Sequence, residues 1–281
     1  MSWNWGSEAK ELGISMLPGS ILNIGYEVSD RICEKGHGER IAIIWRGKSG
    51  EEKKLTYNNL DSESSRFAAF LKSLGVSKGD RVFTYSDRIP EHYIAIIGAA
   101  KAGAVLGPLF SSFGKEAIKD RLHTAGTSVL IVQQNLLGNV LEVSPSLPDL
   151  KTIIVIKEGG SDKTGKSPET ADSPTQLETA VNASDAIKDC PHTLIDFNCY
   201  KDFPSEFALE ETSPDAPALM HFTSGTTGKP KGALHVHAAL LGHFATTKHV
   251  LGLNRDDIYW CTADTAWVTG MSYGVFGPLS N

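Results

Sequence analysis

No run in this 281-residue sequence is apolar over the roughly 20 residues that a bilayer-spanning helix needs. The most apolar stretch, Ile94–Phe110, is interrupted by Lys101 and contains Gly98, Gly103, Gly107 and Pro108. It is expected to form a buried helix followed by a buried strand. The N-terminus, Met1–Met16, is polar and mixed in charge and lacks the apolar core of a secretory signal. Positive charge is outnumbered as well, with 27 Lys and Arg against 33 Asp and Glu. The formal net charge is −6, which argues against nucleic acid or an anionic membrane as the main partner. Cysteine is sparse: Cys33, Cys190, Cys199 and Cys261 form no CxxC pair and have no zinc-like spacing. His192 between Cys190 and Cys199 is too weak a pattern for a metal site, so none is assigned. Reduced thiols in a cytoplasmic protein are the expectation. No solenoid-type repeat is present.

What is present is ordinary globular composition, 41% hydrophobic and 21% charged. Short β-branched runs alternate with helix-like segments. Strands are expected at Arg40–Arg46, from Leu55, at Arg81–Tyr85, Ala104–Leu109, Val129–Val132 and Thr152–Ile156. Between them lie a helix capped by Thr56 or Asn58 and stopped at Gly75, one opened by Pro90, and one over Lys115–Thr124. Strands separated by helices imply an α/β fold, with mostly parallel sheets covered by helices. Glu158–Asp185 is rich in Gly, Ser, Thr, Pro, Asp and Lys. It reads as a surface loop (157–187), mobile and poor in core residues, although a domain boundary there stays open. Downstream, Ala218–Phe222 is expected as a strand, Ala233–Val250 as a helix and Asp257–Cys261 as a strand. The chain ends shortly after Gly277-Pro278-Leu279 without an evident completed helix, and reads as incomplete at the C-terminus.

Between two of these elements lies Thr223-Ser-Gly-Thr-Thr-Gly-Lys-Pro-Lys-Gly232. Gly225, Gly228 and Gly232 allow backbone amides to approach phosphate oxygens without an intervening side chain. The hydroxyls of Thr223, Ser224, Thr226 and Thr227 are donors to such oxygens. Lys229 and Lys231 add charge-assisted bonds, and Pro230 stiffens the loop between them. Only two residues separate Gly225 from Gly228, and Pro230 follows Lys229, so this is not a Walker A loop. Placed after an apolar strand, the decapeptide is expected to bind ATP phosphates.

The decapeptide resembles the signature of the adenylate-forming superfamily: acyl- and aryl-CoA synthetases, luciferases and peptide-synthetase adenylation domains. Asp257-Ile-Tyr-Trp-Cys-Thr-Ala-Asp264 and Trp267-Val-Thr-Gly270 resemble its acetate-activating branch, as do His235-Val-His237 and Gly277-Pro278-Leu279. Upstream, Leu55-Thr-Tyr57, Lys78-Gly-Asp-Arg-Val82, Gly103-Ala104 and Gly107-Pro-Leu-Phe110 agree. The resemblance implies an incomplete N-terminal AMP-binding domain over 1–281. It also implies two half-reactions: acetate attacks ATP to give acetyl-AMP and pyrophosphate, and CoA then displaces AMP. Trp267, Val268 and Thr269 would line the acyl pocket. Small-molecule partners are implied: acetate, CoA and ATP with Mg2+. Propionyl- or medium-chain acyl-CoA synthesis, or a catalytically silent nucleotide-binding fragment, are the alternatives.

Several parts of the family pattern have no counterpart here. The magnesium-holding Glu of the later aromatic-Gly-x-Thr-Glu motif, the ribose-gripping Asp, the hinge and the C-terminal lid domain with its catalytic lysine are absent. No catalytic residue or metal ligand is therefore assigned within the chain. Asp264 is read as a structural hydrogen-bonding carboxylate. His235, His237, His243 and His249 are placed on one helix in solvent or core roles rather than at a metal.

Overall fold

The computed structural model describes residues 4–157, 190–224 and 229–281. Among them a seven-stranded sheet runs in the order β7-β6-β5-β3-β4-β8-β9. Its members are β3 (Arg81–Tyr85), β4 (Val105–Leu109), β5 (Val129–Gln133), β6 (Thr152–Ile156), β7 (Thr193–Asp196), β8 (Pro217–Ser224) and β9 (Pro230–Val236). β3 to β8 are mutually parallel, and β9 pairs antiparallel with β8. A separate hairpin pairs β1 (Ile41–Arg46) with β2 (Glu52–Thr56) antiparallel.

The central strands are apolar on both faces because both faces are covered. Val82, Ile131 and Ile154 point into one core, under the helices Tyr57–Ser73, Pro90–Lys101 and Ala239–His249. Phe83, Leu130, Val132, Ile153 and Val155 point into the other, under Lys115–Ala125 and Leu137–Val143. Thr56 caps its helix as expected. Its hydroxyl accepts from Asn59 N–H while Asn59 Oδ1 accepts from Thr56 N–H, closing a capping box. Gly75 follows the helix at φ 82°, a conformation that favours glycine. Gly107 admits Phe83 against the neighbouring strand, where a Cβ would lie 2.1 Å from the ring.

Lys101, the charge inside the most apolar run, is fully buried. Its ammonium lies 2.6 Å from Asp30, 2.8 Å from Asp61 and 2.9 Å from the Ser65 hydroxyl.

Four expectations are corrected. Ala233–Val250 is not one helix: residues 230–236 form β9, and the helix covers Ala239–His249. Gly232 disfavours a helix by roughly 1 kcal/mol, and pairing with β8 supplies the backbone with partners. The four histidines therefore do not share a helix. Asp257–Cys261 is not a strand, since no strand among the described residues lies beside it to form a ladder, and Ile258 and Trp260 are 87% and 82% exposed. Finally, residues 268–280 are helical through to Ser280 rather than leaving the last segment unformed. The expected loop at 157–187 falls almost wholly outside the described residues.

Candidate functional site

The parallel strands all point their carboxyl ends to one edge of the sheet, where α/β folds bind ligands. Ser86 follows β3 there, Phe110 follows β4, and the Gly-rich decapeptide follows β8. Because β9 rather than a helix comes next, the decapeptide joins two antiparallel strands, with Thr223 and Ser224 closing β8 and Pro230 to Gly232 opening β9. The phosphate-binding role expected of it cannot draw on a helix N-terminus and rests on its own amides, hydroxyls and lysines.

Gly225, Thr226, Thr227 and Gly228 lie outside the described residues, and Ser224 is described by its backbone in β8. The flanks are defined. Thr223 on β8 stands directly opposite Lys231 on β9, and both side chains are exposed, as is Lys229. Strand alternation puts Thr223 and Lys231 on the same hairpin face as His221 and His235. The latter two rings meet edge to face at 5.5 Å. Burial, reinforced by the neighbouring His235, lowers the pKa of His221 to about 4, so the imidazole beneath the loop is neutral at physiological pH.

The second motif is held differently. Trp267, 58% exposed, leads into a helical turn that begins at Val268, and Val268 and Thr269 are exposed beside it. The preceding turn is tight. Asp264 Oδ1 accepts from Ala266 N–H at 2.9 Å, and Trp267 N–H donates to Asp264 O at 3.0 Å. Gly270 closes against it, since a Cβ there would lie 1.9 Å from Asp264 O. His92 anchors the turn to the sheet edge. One ring nitrogen meets the Ser86 hydroxyl at 3.0 Å and the other the Thr265 hydroxyl at 2.9 Å. Burial pushes the His92 pKa down to about 4, so the ring stays neutral. Sequence reasoning missed this residue. A lone histidine in an apolar helix gives no sign of the two hydroxyls it will meet.

Trp267 packs edge to face on Phe110 at 5.3 Å, and Phe110 on Phe113 at 5.0 Å. The acyl motif thus reaches the segment after β4, and the two motifs share the carboxyl edge of the sheet.

A mainly parallel sheet of this order, with a Gly-, Thr- and Lys-rich sequence joining two strands at its carboxyl edge, defines an α/β protein of the kind that takes its ligands at that edge. The chain belongs to the AMP-binding enzyme family, which it matches over residues 30–281. It is 37% identical over 261 residues to the acetyl-coenzyme A synthetase of Bacillus subtilis (strain 168), covering 92% of this chain and 40% of that protein. It is 34% identical over 289 residues to that of Alkalilimnicola ehrlichii, covering 98% of this chain and 41% of that one. A crystal structure of an acyl-CoA synthetase from Brucella canis superposes with a TM-score of 0.78 at 25% identity, covering 99% of this chain and 45% of the other. The chain thus spans about 40% of the length of these curated relatives.

Proposed function

We propose that this chain is the phosphate-loop portion of an AMP-forming acid–thiol ligase whose acid is acetate. The observation that carries the reading is the Thr223–Lys231 pair on an exposed hairpin, at the same sheet edge as Trp267-Val-Thr269. The donor set suits a polyphosphate: two lysine ammonium groups, hydroxyls and glycine amides, with no carboxylate in the decapeptide to repel it.

In the reaction, a carboxylate oxygen of acetate attacks the α-phosphorus of ATP, and the bond to pyrophosphate breaks. Lys229, Lys231 and the hydroxyls of Thr223, Ser224, Thr226 and Thr227 hold the β- and γ-phosphates, with the amides of Gly225 and Gly228. They thereby orient the leaving group and offset its growing charge. Trp267, Val268 and Thr269 bound the acyl side, where a small pocket rejects longer acids by steric exclusion. The thiol of CoA then attacks the acyl carbon, and AMP leaves. Mg2+ accompanies ATP, and none of the residues described here is assigned to hold it. The Bacillus subtilis and Alkalilimnicola ehrlichii relatives are acetyl-coenzyme A synthetases, which does not favour the propionyl- or medium-chain reading.

The test is acetate- and CoA-dependent AMP formation by the polypeptide encoded by the whole reading frame, with propionate and hexanoate in parallel. Preference for acetate supports the reading. Equal turnover of hexanoate, or no AMP with any acid, overturns it. The 281-residue chain assayed alone is expected to form little AMP.

A further inference from the structure

The Lys115–Ala125 helix carries a guanidinium that the proposed reaction does not use. Arg121 lies with its Cζ 4.2 Å from the ring centre of Phe113 and 5.8 Å from that of Phe222. Both distances fall within the range of cation–π attraction. Its Nη1 donates to Ala117 O at 2.8 Å, and its Nε is buried without a hydrogen-bond partner. Among the described residues no carboxylate stands within ion-pair distance of it. An unpaired guanidinium beside a phosphate loop invites an anion-binding role. The space around it decides against that: the cavity between Arg121, Phe110, Phe113 and Phe222 is about 10 Å³, room for one water at most.

What the arrangement does is mechanical. Phe222 is the residue before Thr223, on the hairpin face opposite Thr223 and Lys231. Phe113 continues through Phe110 to Trp267 in two edge-to-face contacts. Arg121 lies between the hairpin stem at Phe222 and this aromatic chain at Phe113.

We propose that Arg121 is a positioning residue that clamps the stem of the phosphate-loop hairpin and, through Phe113 and Phe110, sets it against Trp267. Its bearing on ATP and acetate alignment rests on the ligase reading above; the clamp itself does not.

The test is amide hydrogen exchange on the 281-residue chain, comparing wild type, Arg121→Met and Arg121→Lys. Methionine keeps much of the stem and removes the cation; lysine keeps the cation. Arg121→Met should raise exchange about tenfold, the worth of one such contact. The rise should occur together in the β8–β9 stem and in residues 264–269, with β5 and β6 unchanged and substantial recovery in Arg121→Lys. A rise confined to the Lys115–Ala125 helix, a uniform rise across the sheet, or no rise overturns the proposal. In the whole polypeptide, the same variant should raise the KM for ATP and for acetate together, with kcat falling less. If wild type forms no AMP, the ligase reading fails while the exchange result still decides the clamp.

Discussion

Lys231 and Thr223 face each other across the hairpin with their side chains in solvent, so neither contributes much to folding. Lys231→Ala in the whole polypeptide should therefore lower kcat/KM for ATP by about 10²-fold, as loss of a charge-stabilising donor does. Stability should stay within about 0.5 kcal/mol of wild type. Steady-state kinetics beside denaturant titration separates the two, and a collapse in stability would make the lysine structural. Gly270 is the opposite case. An added methyl group meets the Asp264 carbonyl at 1.9 Å, and that atom is backbone, so the whole 264–270 turn must shift. Gly270→Ala should cost about 1–3 kcal/mol and change the emission of Trp267, read in one fluorescence-detected unfolding experiment. The decapeptide and the Trp-Val-Thr motif were legible in the sequence because their chemistry is local. His92 and Arg121 were not, because each acquires its meaning only from side chains far away in the chain.

Among the elements, the Pro90–Lys101 helix shows how one charge is accommodated in a core. Lys101 ties it to Asp30 and to Asp61 of the Tyr57–Ser73 helix. Lys101→Met would leave two carboxylates without their cation, and should cost about 3 kcal/mol, measured by urea titration. A neutral or stabilising outcome would show that solvent reaches the aspartates well enough to replace the ammonium. The sequence marked this residue only as an interruption of an apolar run. Most other elements were readable from period and caps: the two strands flanking Pro90–Lys101, the Thr56 cap and the Gly75 stop. β9 was misread because Lys-Gly-Ala-Leu-His-Val carries no clear period, and its pairing with β8 decides its state. Asp257–Cys261 was misread in the converse way. Its β-prone residues are there, but a strand needs a neighbour.

At the scale of the whole molecule, buried histidines make stability depend on pH. His92, His221, His237 and His243 each have a pKa lowered to about 4, burial being the first cause in every case. His237 Nδ1 accepts from Ile24 N–H at 3.0 Å, which requires the neutral ring. In the unfolded chain these rings titrate near 6.5. Between about pH 6.5 and 4 the unfolded state thus binds more protons, and stability falls as pH falls through that window. Glu27 opposes this: desolvation raises its pKa to about 7, so its contribution weakens as pH rises from 4.5 to 7. Asp30, whose pKa desolvation also raises, acts in the same sense as Glu27. Four histidines against two carboxylates predict a net loss on the order of several kcal/mol between pH 7 and 4. Urea midpoints across that range will check it, and a flat profile would place the histidines in solvent.

The sequence by itself determined the alternation of strands and helices, the family, and the residues suited to a polyphosphate, because hydrophobic period, caps and loop chemistry act over a few residues. Only the tertiary structure decided that the segment after the loop is a strand paired with β8 rather than a helix, and that Lys101 is buried in a charge cluster. It also decided that Arg121 and the phenylalanines join two motifs some forty residues apart. Each of these depends on which distant backbone or side chain arrives alongside, and burial and pairing, not local preference, set that outcome.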